Sequence, residues 1–172
     1  MIRIFPIMIA VCFLVVLVFG ISSQRPAPYS KPVSKALPEF SLPSLYEEGK
    51  QLTDKDLRGH YSLLNVFASW CYTCRLEHDT LLNLAEENRL PIYGIAWKDK
   101  PTNTKQWLTN LGNPYKTVAS DWEGDLVVPL GLTGTPESFL INPEGMIIYH
   151  HQGMLTQDFL EREILSLMKT EQ

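Results

Sequence analysis

Two cysteines separated by two residues, Cys71 and Cys74, are the residues of this 172-residue chain whose types and spacing most directly suggest chemistry. Such a pair can close and reopen a disulfide, and so pass two electrons to or from another disulfide. A pair between a strand and a helix also has its first sulfur at the helix N-terminus, where free N–H groups and the helix dipole stabilise a thiolate. The pattern predicts that Cys71 attacks and that Cys74 resolves the mixed disulfide.

Other uses of these cysteines leave different marks in a sequence. A structural disulfide here would close a very short loop and would therefore remove little entropy from the unfolded chain. A metal site needs further ligands, and His78 is a candidate third ligand, although a packed helix residue is the simpler interpretation of that histidine. Covalent haem attachment needs histidine directly after the second cysteine, where this chain has Arg75. The remaining cysteine, Cys12, lies in an apolar run and is interpreted as a packing residue.

The elements that position the pair follow from hydrophobic periodicity. Ser62–Phe67 (SLLNVF) is a short apolar run of the kind that forms a strand buried on both faces. One face of the next segment carries residues at helical spacing, namely Cys74, His78, Leu81, Leu82 and Ala85. The pair is therefore predicted to lie between a buried strand and an amphipathic helix.

The rest of the body continues this alternation. The predicted elements are a strand at 92–97, a helix at 103–111 ended by Gly112 and Pro114, a strand at 115–120, a hairpin of strands at 138–141 and 146–151, and a last helix capped by Thr156 with the apolar stripe Leu160, Ile164, Leu167 and Met168. This order predicts an α/β fold with a central mixed sheet and helices on both faces.

The N-terminal residues differ in composition from this body. Residues 4–24 carry no charge, and 4–21 are almost wholly apolar, which is long enough to cross a hydrocarbon core of about 30 Å. We expect a transmembrane anchor at 1–21, with a cleaved signal peptide as the alternative. Proline-rich residues 22–37 predict an extended tether, so the domain is expected at 38–172.

Charge is divided unevenly along the chain. Residues 1–37 contain four basic residues and no acidic ones, whereas residues 38–172 contain 11 basic and 19 acidic residues, a net charge of −8. Binding to nucleic acid depends on clustered lysine and arginine. The acidic body therefore argues against a nucleic-acid partner.

A family resemblance becomes specific at the cysteine pair. Residues 67–78 (FASWCYTCRLEH) closely resemble the active-site segment of membrane-tethered thioredoxin-like proteins of the CcmG/DsbE family. Further matches follow in register at residues 94–99 (GIAWKD), 107–108 (WL), 112–115 (GNPY) and 131–141 (GLTGTPESFLI). The resemblance spans roughly residues 38–170 and implies a thioredoxin-like fold, here preceded by one N-terminal transmembrane helix.

The resemblance implies a thiol–disulfide oxidoreductase of cytochrome c maturation. Its clients would be the C-x-x-C-H cysteines of apocytochrome c, reached directly or through a cytochrome c assembly protein, and its electrons would come from a membrane donor of the DsbD or CcdA type. The implied location is the bacterial inner membrane, with a single-pass anchor and the C-terminal domain in the periplasm. The only redox group implied is the Cys71–Cys74 disulfide, with no metal or other cofactor.

The same resemblance assigns residues to an active-site groove: Trp70, Tyr72, Thr73, Glu77, Thr135, Pro136 and Glu137. Pro136 matches a cis-proline opposite the pair, which would turn the Thr135 backbone toward an extended substrate peptide. Glu77 and Glu137 match acidic residues of the family's site, where a carboxylate disfavours a nearby thiolate and can relay the proton of the second thiol. The residues alone are also consistent with a trans Pro136, a solvent-facing Glu77 and a Trp70 in the core.

Departures from the family pattern bear on redox potential and substrate preference. Tyr72 and Asp79 stand where proline is common, and Ala96-Trp97 stands where the family has Asn-Tyr. Two other functions stay open, a TlpA- or ResA-like extracytoplasmic reductase with other clients and a metal-binding assembly chaperone. A thiol peroxidase is disfavoured because the P-x-x-x-T-x-x-C pattern is absent.

Overall fold

The structure is a computed structural model that describes residues 8–9, 12–16 and 30–170. Within these residues, a six-stranded mixed sheet has the order β1-β8-β7-β4-β5-β6. Its strands are β1 (Ser30–Ala36), β4 (Ser62–Phe67), β5 (Ile92–Trp97), β6 (Thr117–Asp121), β7 (Glu137–Ile141) and β8 (Met146–Gln152), and a separate hairpin is formed by β2 (Ser41–Pro43) and β3 (Gln51–Thr53). Strands β4, β5 and β6 are parallel, whereas β7 is antiparallel to both β4 and β8.

The helices cover the two faces of the sheet. They are α1 (Tyr72–Glu86), α2 (Pro101–Leu111), the short α3 (Val127–Leu130) and a C-terminal helical segment made of α4 (Gln157–Phe159), a π-helical turn (Leu160–Ile164) and α5 (Leu165–Thr170), with a 3₁₀ turn at Asp54–Leu57. The predicted mixed α/β sheet with flanking helices is confirmed. Helix α2 begins two residues before its predicted start because proline is well suited to the first helical position.

Strand β4 divides the core between the two faces. Leu63 and Phe67 belong to the cluster that also contains residues of α1, α2 and the C-terminal segment. Leu64 and Val66 belong to a second cluster, which the β2–β3 hairpin, the 3₁₀ turn and α3 cover. All six residues of β4 are buried, as the apolar run predicts. Helix α1 is therefore packed on the same face of the sheet as Phe67.

Strand β1 shows that the domain begins earlier in the sequence than residue 38, the start expected from composition. Proline content assigns residues 22–37 to a tether, whereas the structure pairs Ser30–Ala36 with β8 and buries Leu37. An edge strand tolerates proline because one side of its backbone makes no ladder hydrogen bonds. The pairing also shifts register between Pro32 and Lys35. The domain thus includes residues from 30 onward, rather than starting at 38.

The predicted anchor at 1–21 and the tether residues 22–29 lie mostly outside the described residues. In this part of the chain, residues 8–9 and 12–16 are described, and they are helical. Among the helices that the structure describes, none combines the length and apolar character needed to cross a bilayer.

Candidate active site

The cysteine pair lies where β4 leads into α1. The two sulfurs form a disulfide with an S–S distance of 2.12 Å. Cys71 caps the helix, and its Sγ accepts a hydrogen bond from the backbone N–H of Cys74 at 3.1 Å. Cys71 is 7% exposed and Cys74 1%. An incoming sulfur can therefore reach Cys71 more readily than Cys74.

A buried carboxylate fixes the loop that precedes Cys71. Asp99, just after β5, accepts hydrogen bonds from the Ser69 backbone N–H at 2.7 Å and from the Ser69 hydroxyl at 2.9 Å. The Thr104 hydroxyl of α2 donates to the same carboxylate at 2.8 Å. Asp99 thereby connects the active-site loop to β5 and α2, a connection that its place in the GIAWKD match did not reveal.

The aromatic residues beside the pair are at the surface. Trp70 is 58% exposed, so it is not a core residue; its indole N–H donates to the Lys98 carbonyl, and its ring centroid lies 6.1 Å from that of Trp97. Tyr72 is 74% exposed, and Thr73 is also exposed in the first turn of α1. These side chains therefore present contact area next to the pair.

Glu77 is buried on the inner side of α1, which excludes the solvent-facing interpretation. It is 1% exposed and lies one turn after Cys74 on the same helix. Its Oε1 accepts a hydrogen bond from Asn65 Nδ2 at 2.9 Å, and its Oε2 accepts one from the Leu155 backbone N–H at 2.8 Å. Burial raises the pKa of Glu77 from 4.5 to about 7, although both hydrogen bonds lower it.

Three of the residues around Glu77 were not predicted as site residues. They are Asn65 in β4, Ser138 in β7, and Tyr115 in the segment before β6. All three are buried, and hydrogen bonds join the other two to Asn65. The sequence does contain a signal for the first of them: an amide inside the buried run SLLNVF must find hydrogen-bond partners.

The loop before β7 has the cis peptide bond that the resemblance implies, between Thr135 and Pro136. Strand β7 runs antiparallel to β4, with Glu137 opposite Val66. Pro136 therefore adjoins the end of β4 from which the chain continues to Cys71. The carbonyl of Pro136 accepts a hydrogen bond from the backbone N–H of Gly153 at 2.9 Å, so the residue that follows β8 helps to hold this loop.

Glu137 anchors the same loop from inside. Its Oε1 accepts hydrogen bonds from the backbone N–H and the hydroxyl of Thr133, at 2.7 and 2.6 Å, and from the Gly134 N–H at 3.0 Å. Its Oε2 accepts a hydrogen bond from His150 Nε2 at 2.7 Å. Burial alone would raise the pKa of Glu137, but the bonds from His150 and Thr133 together hold it below 4.5. Glu137 is thus a charged clamp on the cis-proline loop.

His78, the candidate metal ligand, contacts other groups. Its Nε2–H donates to the Gly112 carbonyl at 3.0 Å, and its ring meets the edge of Trp107 with centroids 4.4 Å apart. Burial lowers the pKa of His78 despite the bond to Gly112. In the described parts of the chain, no three histidine, cysteine, aspartate or glutamate side chains are grouped so as to hold a metal ion.

Comparison with known proteins adds to this geometry. Residues 32–165 match the Redoxin family. The chain is 39% identical over 165 residues to the thiol:disulfide interchange protein DsbE of Yersinia pestis, covering 95% of this chain and 87% of that protein. It is 37% identical over 158 residues to DsbE of Pseudomonas aeruginosa, with 90% and 87% covered.

The chain belongs to the DsbE family. Solved structures agree with a DsbE-family chain in fold: a secreted thiol-disulfide isomerase from Corynebacterium glutamicum (TM-score 0.73, 21% identity, 85% of this chain and 95% of that one) and a DsbF homologue from Corynebacterium diphtheriae (TM-score 0.71, 17% identity, 83% and 96%). With the thioredoxin-like fold and the Cys71–Cys74 pair, this membership makes the protein a thiol–disulfide oxidoreductase.

Proposed function

We propose that this DsbE-family oxidoreductase is a reductant of cytochrome c maturation. Its clients are disulfides in the C-x-x-C-H segments of apocytochrome c, or in an assembly protein that passes electrons to them. The proposal is supported by the resemblance of residues 67–78 and 131–141 to the CcmG/DsbE family and by the DsbE relatives. The observation that carries it is the unequal exposure of two sulfurs at the start of a helix, with a buried acid one turn beyond.

The proposed reaction moves two electrons from the protein to the client. The Cys71 thiolate attacks one sulfur of the client disulfide; that bond breaks, a mixed disulfide forms, and the other client sulfur leaves as a thiolate that takes a proton from water. Cys74 then loses its proton and attacks the Cys71 sulfur; the mixed disulfide breaks, and the second client sulfur leaves as a thiolate that also takes a proton from water. The client ends as a dithiol and the protein as the Cys71–Cys74 disulfide.

In this scheme Glu77 takes the proton of Cys74. Cys74 is almost fully buried, so its proton has no direct path to water and needs a nearby base. A carboxyl group with a pKa of about 7 is partly ionised at neutral pH and can both accept that proton and return it. The return step belongs to the reverse half-reaction, in which a donor dithiol attacks Cys71 and Cys74 leaves as a thiolate.

The loop that carries Thr135 and Pro136 is the proposed contact for the client peptide. An extended peptide can pair with backbone groups beside β7, as in other strand-addition complexes. Glu137 keeps Thr133 and Gly134 in place, and the exposed side chains of Trp70 and Tyr72 flank Cys71 in the sequence. The residues grouped here thus have separate proposed roles in electron transfer, proton transfer and client binding.

The proposal includes a location and an electron donor. The chain would be held by residues 1–21 in the bacterial inner membrane, with its C-terminal domain in the periplasm, and a membrane protein of the DsbD or CcdA type would reduce it. The apolar run at 4–21 and the need to act on exported cysteines support this location.

Trapping of clients tests the function. In cells that express the full-length Cys74→Ala variant, Cys71 should accumulate mixed disulfides with apocytochrome c or with a cytochrome c assembly protein, because no resolving thiol remains. The Cys71→Ser/Cys74→Ala double variant is the control and should trap nothing. Capture of unrelated clients alone would replace the proposal with the broader TlpA- or ResA-like reductase.

A further inference from the structure

A chain of buried hydrogen bonds connects Tyr115 to Glu77 through the side chain of Asn65. The Tyr115 hydroxyl donates to Asn65 Oδ1 at 2.8 Å. Asn65 Nδ2 donates to Glu77 Oε1 at 2.9 Å and to Ser138 Oγ at 3.0 Å. This hydrogen-bond network joins β4, β7, α1 and the segment before β6, and its four side chains are at most 6% exposed.

The carboxylate determines which way the Asn65 amide points. An ionised carboxylate accepts hydrogen bonds and donates none, so it requires the N–H side of the amide. The oxygen of the amide then faces Tyr115, whose hydroxyl can supply the matching donor. If the Tyr115 hydroxyl were absent, Asn65 Oδ1 would be a buried acceptor without its partner, and the amide would lose one of the contacts that hold its orientation.

We propose that Asn65 and Tyr115 are positioning residues that aim a donor at Glu77 and thereby set how readily Glu77 takes up and releases a proton beside Cys74. The proposal deepens the function proposed above and rests on the role given there to Glu77. Neither residue touches a reacting sulfur in this scheme; both act through the carboxyl group.

The surroundings of Glu77 leave this role to neutral donors. None of the described residues forms an ion pair with Glu77. The Cys74 thiol is one turn away on the same helix, and the Tyr115 phenol lies across the network. Buried His151 approaches from β8: its Nε2–H donates to the Met154 carbonyl of the same peptide group whose N–H donates to Glu77, and burial lowers the pKa of His151. Burial, and next the charge of Glu77, raise the pKa of Tyr115 well above its usual value, so the phenol stays protonated as a donor. Asn65 and Leu155 supply the other N–H groups that favour the ionised carboxylate.

Titration of Glu77 in the full-length protein in detergent micelles tests the proposal. The protein is labelled with carboxyl-¹³C-glutamate, and the titration is followed by NMR. The Glu77 resonance is assigned as the one that is absent from the spectrum of Glu77→Gln. In Tyr115→Phe the ring keeps its stack on Phe67 (centroids 4.8 Å apart) but loses its donor. We expect the Glu77 inflection to rise by roughly half to one pH unit, since a hydrogen bond to a charged group is weakened. At pH 7 the resolving step should slow about three-fold, as less carboxylate is available.

Tyr93→Phe is the matched control. Tyr93 is also buried, but its hydroxyl donates to the Asp56 carbonyl at 2.8 Å, and its ring packs in the cluster on the opposite face of the sheet. This variant should leave the Glu77 titration unchanged. Equal titrations in the wild type, Tyr115→Phe and Tyr93→Phe, or equal shifts in both variants, would overturn the proposal.

A measurement on the wild-type protein needs no variant to fold. The Asn65 side-chain N–H resonances should titrate with the same inflection as the Glu77 carboxyl, because one of these protons points at it. An Asn65 amide that does not follow Glu77 would also overturn the proposal. Neither NMR result depends on which client the protein reduces, so failure of the cytochrome c assignment leaves this test intact.

Discussion

The buried carboxyl group of Glu77 makes the stability of the domain depend on pH. Its pKa is about 7 in the folded protein and 4.5 when unperturbed, so between these values the folded state holds the extra proton. The contribution of Glu77 therefore becomes less favourable as pH rises from about 4.5 to 7, by about 3 kcal/mol in all. Denaturant unfolding of oxidised Glu77→Gln at pH 5 to 8 should lack this slope. The glutamine NH₂ also faces a donor, which lowers stability at every pH.

Exposed Glu86, also on α1, provides the control for this prediction. Glu86→Gln removes a carboxyl group from the same helix but should keep the wild-type slope. A slope that persists in Glu77→Gln would mean that another group titrates over this range.

The opposite dependence is expected for Glu137. The pKa of Glu137 is below 4.5 in the folded state and 4.5 when unperturbed. Its stabilising contribution is therefore fully present above pH 4.5 and is lost as pH falls through the folded-state pKa. At pH 7, Glu137→Gln should lower the free energy of unfolding by roughly 1–3 kcal/mol, because the hydrogen bonds that the ionised carboxylate accepts from Thr133 and His150 are lost. The difference from the wild type should shrink below pH 4, and exposed Glu144→Gln should show no such difference.

At the residue scale, spacing and resemblance were enough to find the cysteines but not their buried surroundings. Glu77 was ambiguous because its acceptor roles involve Asn65, 12 positions earlier, and Leu155, 78 positions later. Helical spacing describes one helix face and does not include such partners. The clamp between Glu137 and His150 was missed for the same reason, since it forms across two strands.

Among the elements, β5 has little free space at Gly94, which lies against the stacked rings of Phe67 and Tyr115. A Cβ on Gly94 would lie 2.9 Å from Cγ of Tyr115 and 3.0 Å from Cε1 of Phe67. Gly94→Ala must displace these rings and should lower the free energy of unfolding by about 1–3 kcal/mol. At Gly134, by contrast, a Cβ meets no atom within 4 Å, and the backbone is not left-handed, so Gly134→Ala should leave stability nearly unchanged. Denaturant unfolding at pH 7 compares them, and equal stabilities would contradict this account of β5.

The elements that hydrophobic periodicity predicted well are those with long or fully buried patterns. Strands β4 and β5 match their predicted bounds, and α1 begins directly after Cys71 and contains Cys74, as the helical spacing predicts. The hairpin of β2 and β3 was missed because each strand has three residues and is fixed by tertiary burial of Leu42 and Leu52. The short helix α3 likewise depends on Leu130 in the core rather than on a repeating pattern.

For the whole molecule, β1 decides where the domain begins. It pairs with β8 across the sheet edge, and Leu37 after it is 3% exposed, with its N–H donating to the Gly145 carbonyl. A fragment of residues 38–172 should be less stable than one of residues 30–172 by about 3–5 kcal/mol, from the lost apolar burial and ladder bonds. The melting temperature should fall by roughly 10 °C or more.

A variant of the longer fragment separates the contribution of apolar burial from that of the ladder hydrogen bonds. Leu37→Ala in residues 30–172 keeps the strand but empties a buried site, so its loss of about 2–3 kcal/mol should come without exposing the edge of β8. Hydrogen exchange distinguishes the two defects: amides of β8 that β1 protects should exchange faster in 38–172 than in Leu37→Ala. Because β8 also carries His150, the shorter fragment should loosen the clamp on Glu137 as well. Equal melting temperatures and equal exchange for the fragments beginning at 30 and 38 would show that residues 30–37 stay outside the domain, as their proline content first indicated.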